Sequence, residues 1–176
     1  PSGKTYGDAD FPVFATGGAS GEPVTFASVS PACTVNADGT AVHIVSAGDC
    51  IITASQAGDA NYNVARPVSQ TFTIAKADQN ISFDTSSITL TYGDTDFEVD
   101  ASGGSSGEPV TFTTASPACT ISTDGKIVHI VSAGNCTITA SQAGDLNYNA
   151  ALSVDQTIAI VKAAADGTRK QVHFIG

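Results

Sequence analysis

The chain has 176 residues, a formal net charge of -10 and a pI near 4.3, with 41% hydrophobic and 14% charged residues. So acidic a chain is a poor partner for nucleic acid or an anionic membrane surface, because like charges repel. It also has no apolar run near the roughly 18 residues of a membrane span, so we expect no membrane insertion. Few aromatic residues and no Trp or Met favour small β-branched cores, as in many extracellular β-rich repeats.

The chain is a tandem duplication with an offset of 86 residues, which separates Cys119 from Cys33 and Cys136 from Cys50. From Thr5 to Lys76 the two copies align without gaps, and roughly two thirds of the positions are identical. The repeat predicts three parts: a first domain at 1–77, a second at 78–163, and a tail at 164–176.

Short strands with a period of two follow one another in the first copy: PVTF (Pro23 to Phe26), AVHIV (Ala41 to Val45), CIITAS (Cys50 to Ser55) and SQTFTI (Ser69 to Ile74). Turn sequences such as GGASGE, NADG, SAGD and AGDANYN separate them. No window longer than about ten residues has helical spacing. The pattern predicts an all-β protein of two tandem Ig-like β-sandwich domains.

Alternation within CIITAS predicts which face of that strand is buried. Cys50, Ile52 and Ala54 share one face. The second copy reads CTITAS, which keeps Ile138 but replaces Ile51 by Thr137, as expected if only the first face is buried. The linker AKADQN (Ala75 to Asn80) has no Gly or Pro and favours a semi-rigid connection between the domains.

The four cysteines are interpreted as two disulfides rather than as a metal or redox site. The spacing of 17 residues in each copy matches neither the C-x2-C of zinc ribbons nor a redox C-x-x-C motif. We therefore expect Cys33 to pair with Cys50 and Cys119 with Cys136, each pair joining strands on either side of a hairpin. A closed loop of this size contributes ~3 kcal/mol of stability in the loop-entropy model and implies an oxidising compartment.

The histidines and acidic turns allow two interpretations. His43 and His129 are expected to be half-exposed strand residues, since nothing in the spacing supplies further zinc ligands. The acidic turns could bind calcium, whose candidate ligands are Asp8, Asp10, Asp94 and Asp96. The simpler interpretation is that these residues cap their own turns, while Tyr62 and Tyr148 pack at the corner of each sandwich. On that interpretation we expect no metal or other cofactor.

The motifs KTYGDADF, GEPVTF, SPACTV, DGTAVHIVSAGDCIITASQAGDANYN and SQTFTIAK, in this order, resemble the MBG-type bacterial Ig-like repeats of large secreted adhesins and surface proteins. The resemblance covers both copies almost end to end. It implies an Ig-like fold, a cell-surface location and a spacer or adhesive role, with no catalytic residues. In the family a strand resembling QTITF precedes the KTYGD run, whereas here no such strand precedes Lys4.

The ends of the sequence suggest how copies could join. NISF carries Ile81 and Phe83 on one strand face, and QVHF carries Val172 and Phe174 at the same spacing, with an offset of 91. The tail is thus expected to hold the first strand of a further repeat, while the first sandwich lacks its own. A tail leaving the far end of a two-domain rod would reach a neighbour more easily than its own first domain. The candidate donor residues are Gln171, Val172, His173, Phe174 and Ile175.

The functional expectation is a non-enzymatic extracellular filament subunit, because no catalytic constellation occurs and copies of the chain can serve as head-to-tail partners. The alternative is a stalk fragment of a larger cell-surface adhesin, with carbohydrate or host-protein binding through its loops. The loops differ little between the copies, which favours a structural role.

Overall fold

The computed structural model describes residues 3–84 and 88–165, and these ranges are all-β, without helix. The first repeat forms β1 (Lys4–Thr5), β2 (Phe11–Pro12), β3 (Val24–Ser28), β4 (Cys33–Val35), β5 (Ala41–Ile44), β6 (Gly48–Gln56) and β7 (Val68–Ala75). The second forms β8 (Ser82–Phe83), β9 (Thr89–Thr91), β10 (Phe97–Glu98), β11 (Ala101–Ser102), β12 (Val110–Thr114), β13 (Cys119–Ile121), β14 (Ile127–Ile130), β15 (Gly134–Gln142) and β16 (Val154–Val161). No helix among these residues is long and apolar enough to cross a membrane.

The chain divides into two compact units, which interleave along the sequence. Of the described residues, unit 1 comprises 3–80, Gly104–Glu108 and Ala143–Ala151. Unit 2 comprises 81–84, 88–103, Pro109–Gln142 and 152–165. The domain boundaries expected from the repeat, 1–77, 78–163 and 164–176, stay a prediction.

Unit 1 is a sandwich of a four-stranded sheet, ordered β1-β7-β6-β3, and a three-stranded sheet, ordered β2-β5-β4. Strand β1 runs parallel to β7, whereas the other pairs are antiparallel. The disulfide Cys33–Cys50 joins β4 to β6 across the two sheets, with the Cα atoms 5.5 Å apart. The core consists of Phe11, Ala32, Cys33, Val42, Ile44, Cys50, Ile52 and Ile74.

Unit 2 repeats this arrangement and adds one strand pair. Its four-stranded sheet has the order β12-β15-β16-β9, and its three-stranded sheet has the order β10-β14-β13. The disulfide Cys119–Cys136 again joins the two sheets, with a Cα separation of 5.6 Å. The additional pair is β8 with β11, which are antiparallel.

The structure confirms the predicted fold class, the two disulfides and the buried face of CIITAS. Cys136, Ile138 and Ala140 are fully buried in β15, whereas Ile51 in β6 is exposed. The sequence did not specify the sheet to which each cysteine belongs. Cys33 lies in β4 and Cys50 in β6, and these strands belong to opposite sheets because the chain crosses over between β5 and β6. The disulfide therefore ties the sheets together rather than two neighbouring strands.

Candidate functional site

An apolar groove of about 750 Å³ lies in unit 1. Strands β3, β6 and β7 line it together with residues 11–18 and 65–66. Its apolar residues are Phe11, Pro12, Val13, Phe14, Ala15, Val24, Phe26, Ile52, Ala54, Ala65, Val68 and Phe72. Phe14 and Val68 are exposed in this groove, whereas Phe11 and Ile52 form its buried floor, and a concave apolar surface of this kind is a candidate binding site.

In unit 2 the short strand β8 lies at the corresponding place. Its Phe83 ring packs on Phe112, the counterpart of Phe26, with 5.4 Å between ring centroids. Strand β8 pairs with β11, where Phe83 lies opposite Ala101 and Ser82 opposite Ser102. Ile81 and Phe83 are each only 8% exposed. No strand among the described residues of unit 1 corresponds to β8.

Burial at matched positions follows the presence of this strand. Four side chains are more exposed in unit 1 than their counterparts in unit 2: Ile52 against Ile138, Ala54 against Ala140, Gln70 against Gln156, and Phe72 against Ile158. Since most of these pairs are identical residues in the same strands, their exposure depends on what covers them and not on their own sequence.

The groove also differs in sequence from its counterpart. Phe14 is 86% exposed at the groove, whereas the matched residue in unit 2 is Asp100. Phe72 replaces Ile158 and packs edge-on against Phe11, with centroids 5.3 Å apart. The first repeat thus carries two aromatic rings at the groove that the second repeat lacks at the matched positions. Large rings contribute much of the energy of a contact when they are buried.

Gln56 holds one side of the groove in place. The Gly18 N–H donates to Gln56 Oε1 at 2.6 Å, and Gln56 Nε2 donates to the Glu22 carbonyl at 2.7 Å. A Cβ at Gly17 would lie only 2.6 Å from Gln56 Nε2, so any larger residue there would displace the Gln56 amide from these hydrogen bonds. The Gly-rich loop is therefore pinned beside the groove before anything binds, which lowers the entropic cost of binding.

The candidate donor residues Gln171, Val172, His173, Phe174 and Ile175 lie outside the described residues. Their assignment as a donated strand stays a prediction.

Each unit also carries an exposed histidine–aspartate pair. His43 Nδ1 lies 2.8 Å from Asp10 Oδ1, and His129 Nδ1 lies 2.7 Å from Asp96 Oδ2. The strand register explains the first pair, because Asp10 precedes Phe11, which lies opposite Val42 in β5. Both residues recur in both copies at a separation of 33 positions, a signal in the sequence that could have revealed the pairing.

Asp96→Asn is expected to make unit 2 less stable near neutral pH and to reduce the loss of its stability on acidification. The hydrogen bond from His129 lowers the pKa of Asp96 below its usual 3.8 and outweighs the opposing desolvation, and the Ile130 N–H lowers the pKa further. A lowered folded-state pKa contributes stability above the unfolded-state pKa, and this is lost as the pH falls through the folded value. The effect is small, because the pair is exposed and screened by salt.

Denaturant titrations at about pH 7 and about pH 3 measure this effect. His129→Leu is the matched variant, since it removes the donor and should reproduce the loss near neutral pH, with no further loss in the double variant. An unchanged pH dependence in Asp96→Asn would contradict the role of the pair.

The four candidate calcium ligands all have hydrogen-bond partners, two in their own turns and two on a neighbouring strand. Asp8 accepts a hydrogen bond from the Thr5 N–H at 2.9 Å, and Asp94 accepts one from the Thr91 N–H at 2.7 Å. Asp10 and Asp96 are the carboxylates of the histidine pairs. Among the described residues, no three His, Cys, Asp or Glu side chains form a cluster that could hold a metal ion. All four cysteines are in disulfides, so no thiol is left for nucleophilic or redox chemistry.

No family model and no curated protein matches the chain, so the resemblance to MBG-type repeats stays a prediction. Solved structures similar to it include domains 1–6 of the surface layer protein SbsC, with 20% identity over 85% of this chain and a TM-score of 0.39. The chain spans only 21% of that structure. Domains 4 and 5 of the S-layer protein SbsC match at 19% identity and a TM-score of 0.37, covering 88% of this chain and 80% of theirs. The fibronectin(III)-like modules of Clostridium thermocellum CbhA match at 15% identity and a TM-score of 0.38, covering 99% and 95%.

Proposed function

We propose that this chain is a non-enzymatic extracellular structural protein whose copies assemble head to tail by β-strand addition. The donor is the segment Lys170 to Ile175 of one copy, and the acceptor is the apolar groove in unit 1 of the next. The observation that carries the proposal is the contrast between the two units. The groove is open in unit 1, whereas the matched surface in unit 2 is covered by Ile81–Phe83.

Strand β8 supplies a template for the proposed register. Val172, His173 and Phe174 correspond to Ile81, Ser82 and Phe83. Phe83 lies opposite Ala101 and Ser82 opposite Ser102, so by analogy the proposed register pairs Phe174 with Ala15 and His173 with Thr16. In such a strand Val172 and Phe174 face the groove, and His173 faces solvent, since side chains alternate.

The energetics support a stable contact. Burying the Phe174 side chain contributes ~1.5–3 kcal/mol, and Val172 and the backbone hydrogen bonds add to it. The ring also meets an aromatic partner, because Phe26 occupies the position of Phe112, which packs on Phe83. Strand addition further satisfies backbone groups that an open sheet edge leaves unpaired.

The two disulfides support an extracellular or cell-surface location. Both bonds join buried cysteines across the sandwiches, and structural disulfides of this kind persist in oxidising compartments. With every cysteine paired and the two histidines of the described residues held by carboxylates, the site chemistry favours a structural role over catalysis.

Deletion of Thr168–Gly176 is expected to abolish assembly and to lower the melting temperature of unit 1, because the deletion removes the proposed donor. Sedimentation velocity and electron microscopy of the full and shortened chains measure assembly, and calorimetry measures stability. A synthetic peptide covering Lys170 to Gly176 should restore the melting temperature of unit 1 in the shortened chain.

Matched variants within the full chain separate strand addition from a general effect of the tail. Val172→Ser with Phe174→Ser should prevent assembly, whereas Gln171→Ser with His173→Ser, on the other strand face, should leave it unchanged. A full chain that stays monomeric, or a shortened chain that still polymerises, would overturn the proposal. The first result would instead favour a stalk piece of a longer surface protein, whose groove a neighbouring repeat fills.

A further inference from the structure

Within unit 1, the segment Ala143–Ala151 is packed against residues of the first repeat. We call this segment the clamp loop, and we call the surface that it contacts, formed by Tyr6, Ala47, Lys76 and Ala77, the seat. The Ala77 N–H donates to the Asn147 carbonyl at 2.8 Å, and the Asn149 N–H donates to the Ala77 carbonyl at 2.8 Å. The Ala47 N–H donates to Asn147 Oδ1 at 3.0 Å.

A ring pair and a lysine complete this contact. The Tyr6 and Tyr148 rings meet edge-on, with centroids 5.5 Å apart and planes at 85°. Lys76 Nζ donates to the Asp145 carbonyl at 2.5 Å. The backbone hydrogen bonds of Ala77, the side-chain hydrogen bonds of Asn147 and Lys76, and the tyrosine contact together make the clamp loop specific for its seat.

Because the sequence is duplicated, the chain contains a second copy of the clamp loop and a second copy of the seat. The counterpart of the clamp loop is Ala57–Ala65, here called the free loop, and the counterpart of the seat is Tyr92, Ala133, Lys162 and Ala163, here called the free seat. Nearly every residue that makes the contact is conserved between the copies: Tyr, Ala, Lys and Ala in the seats, and Asp, Asn, Tyr and Asn in the loops.

The two loops share one conformation. In the clamp loop, the N–H groups of Asn147 and Tyr148 donate to Asp145 Oδ1 at 2.8 and 2.7 Å. In the free loop, the N–H groups of Asn61 and Tyr62 donate to Asp59 Oδ1 at the same 2.8 and 2.7 Å. The free loop is therefore already in the shape that binds, which removes most of the ordering cost.

The two seats are likewise built alike. The Tyr6 N–H donates to the Ala75 carbonyl at 2.9 Å, and the Tyr92 N–H donates to the Val161 carbonyl at 2.8 Å. The free seat surrounds a depression of about 330 Å³, lined by Tyr92, Val131, Ser132, Ala133, Lys162 and Ala163. It thus presents the same backbone frame around an open surface.

The tyrosines of the free loop and free seat are more exposed than those of the clamp loop and its seat. Tyr62 of the free loop and Tyr92 of the free seat are each 50% exposed, whereas Tyr148 and Tyr6 are both partly buried. We expected Tyr62 and Tyr148 both to pack at a sandwich corner. Tyr148 instead packs on Tyr6 of the first repeat, and Tyr62 stays half exposed.

We infer that the free loop of one copy docks on the free seat of a second copy, with the contacts that the clamp loop makes within unit 1. The Ala133 N–H then donates to Asn61 Oδ1, Tyr62 meets Tyr92 edge-on, and the Asn63 N–H donates to the Ala163 carbonyl. This inference rests on the proposed head-to-tail assembly and specifies its second contact.

The two proposed contacts, strand addition and loop docking, use the same end of the chain. Ala77 of the seat leads along the chain to Ile81 and strand β8, and Ala163 of the free seat leads to Val172 and Phe174. Both proposed contacts therefore bring the same end of one copy to unit 1 of the next. Together they would fix the junction by strand addition and by loop docking, rather than by a flexible tail alone.

A cross-linking experiment on the full chain tests the inference. A chain with Asn61→Cys and Ala133→Cys, assembled and treated with a short bis-maleimide, is expected to give a ladder of covalent oligomers on a denaturing gel. Either single variant should give no ladder. The positive control, Ala47→Cys with Asn147→Cys, should give an intramolecular link, because these residues already meet within unit 1.

Tyr62→Ala and Tyr92→Ala provide a second measurement. Each should raise the concentration needed for assembly by roughly tenfold, and the double variant should add little more, because the rings form one contact. Peptide binding to the groove should not change, since neither ring lines it.

The outcomes separate the two proposals. Assembly without a ladder, and with unchanged concentration dependence in both tyrosine variants, would overturn the docking contact and leave strand addition standing. A full chain that does not assemble would overturn both.

Discussion

Replacing Cys119 and Cys136 together by alanine is expected to lower the free energy of unfolding of unit 2 by about 2–5 kcal/mol, as is typical for small disulfide-bonded domains. The bond closes a loop between residues 17 apart and ties β13 to β15 across the two sheets. Without it, the unfolded chain gains conformational freedom and the sheets lose their covalent link. Alanine is preferred to serine because both sulfur atoms belong to residues at most 1% exposed, where a hydroxyl group would need a partner.

Calorimetry with and without reductant measures this loss. In the alanine variant, reductant should lower only the transition of unit 1, which keeps Cys33–Cys50. A transition of unit 2 that is unchanged by the substitution would show that packing alone holds its sheets together.

Phe83→Ala is expected to destabilise unit 2 by about 3–5 kcal/mol, the range for removing a large buried ring. The Phe83 ring is 8% exposed and contacts Phe112, and its strand has a partner in β11. The substitution should expose the surface around Phe112, Ile138 and Ile158, and so reproduce in unit 2 the open groove of unit 1. It is thus a direct test of whether a single short strand decides between a covered and an open sandwich.

Ser82→Ala is the matched control, because Ser82 is exposed in the same strand and its loss should cost little. Chemical denaturation of both variants gives the difference, and a hydrophobic dye should bind more strongly to Phe83→Ala. A cost for Phe83→Ala no greater than that of Ser82→Ala would mean that β8 contributes little, which would weaken strand addition as the basis of assembly.

Much of the fold could be derived from local pattern. Alternation in CIITAS identified the buried face, and the repeated spacing of 17 residues identified the cysteine pairs, because both are properties of neighbouring residues along one chain. The crossing of the disulfide between sheets could not be derived in this way. It depends on β5 and β6 belonging to different sheets, which the spacing alone does not specify.

The histidine–aspartate pairs show a second limit of local pattern. Asp10 and His43 are 33 positions apart, and only the antiparallel register of β2 with β5 brings them together. Taken singly, Asp10 is adequately explained as a turn cap and His43 as an exposed strand residue, so neither residue points to the other. Pairing is a property of register, and register is decided by long-range strand contacts.

The duplicated sequence determined the backbone of each repeat, down to the hydrogen bonds of the AGDANYN and AGDLNYN loops. It did not determine which copy is covered. Gln70 and Gln156 occupy the same place in the matched strands β7 and β16, yet Gln70 is exposed and Gln156 is only 5% exposed. The same holds for Tyr62 and Tyr148, where only the second has a ring partner in Tyr6. Local sequence specifies conformation through short-range sterics and turn hydrogen bonds, whereas burial depends on which distant segment packs on top. Only the tertiary structure could decide that.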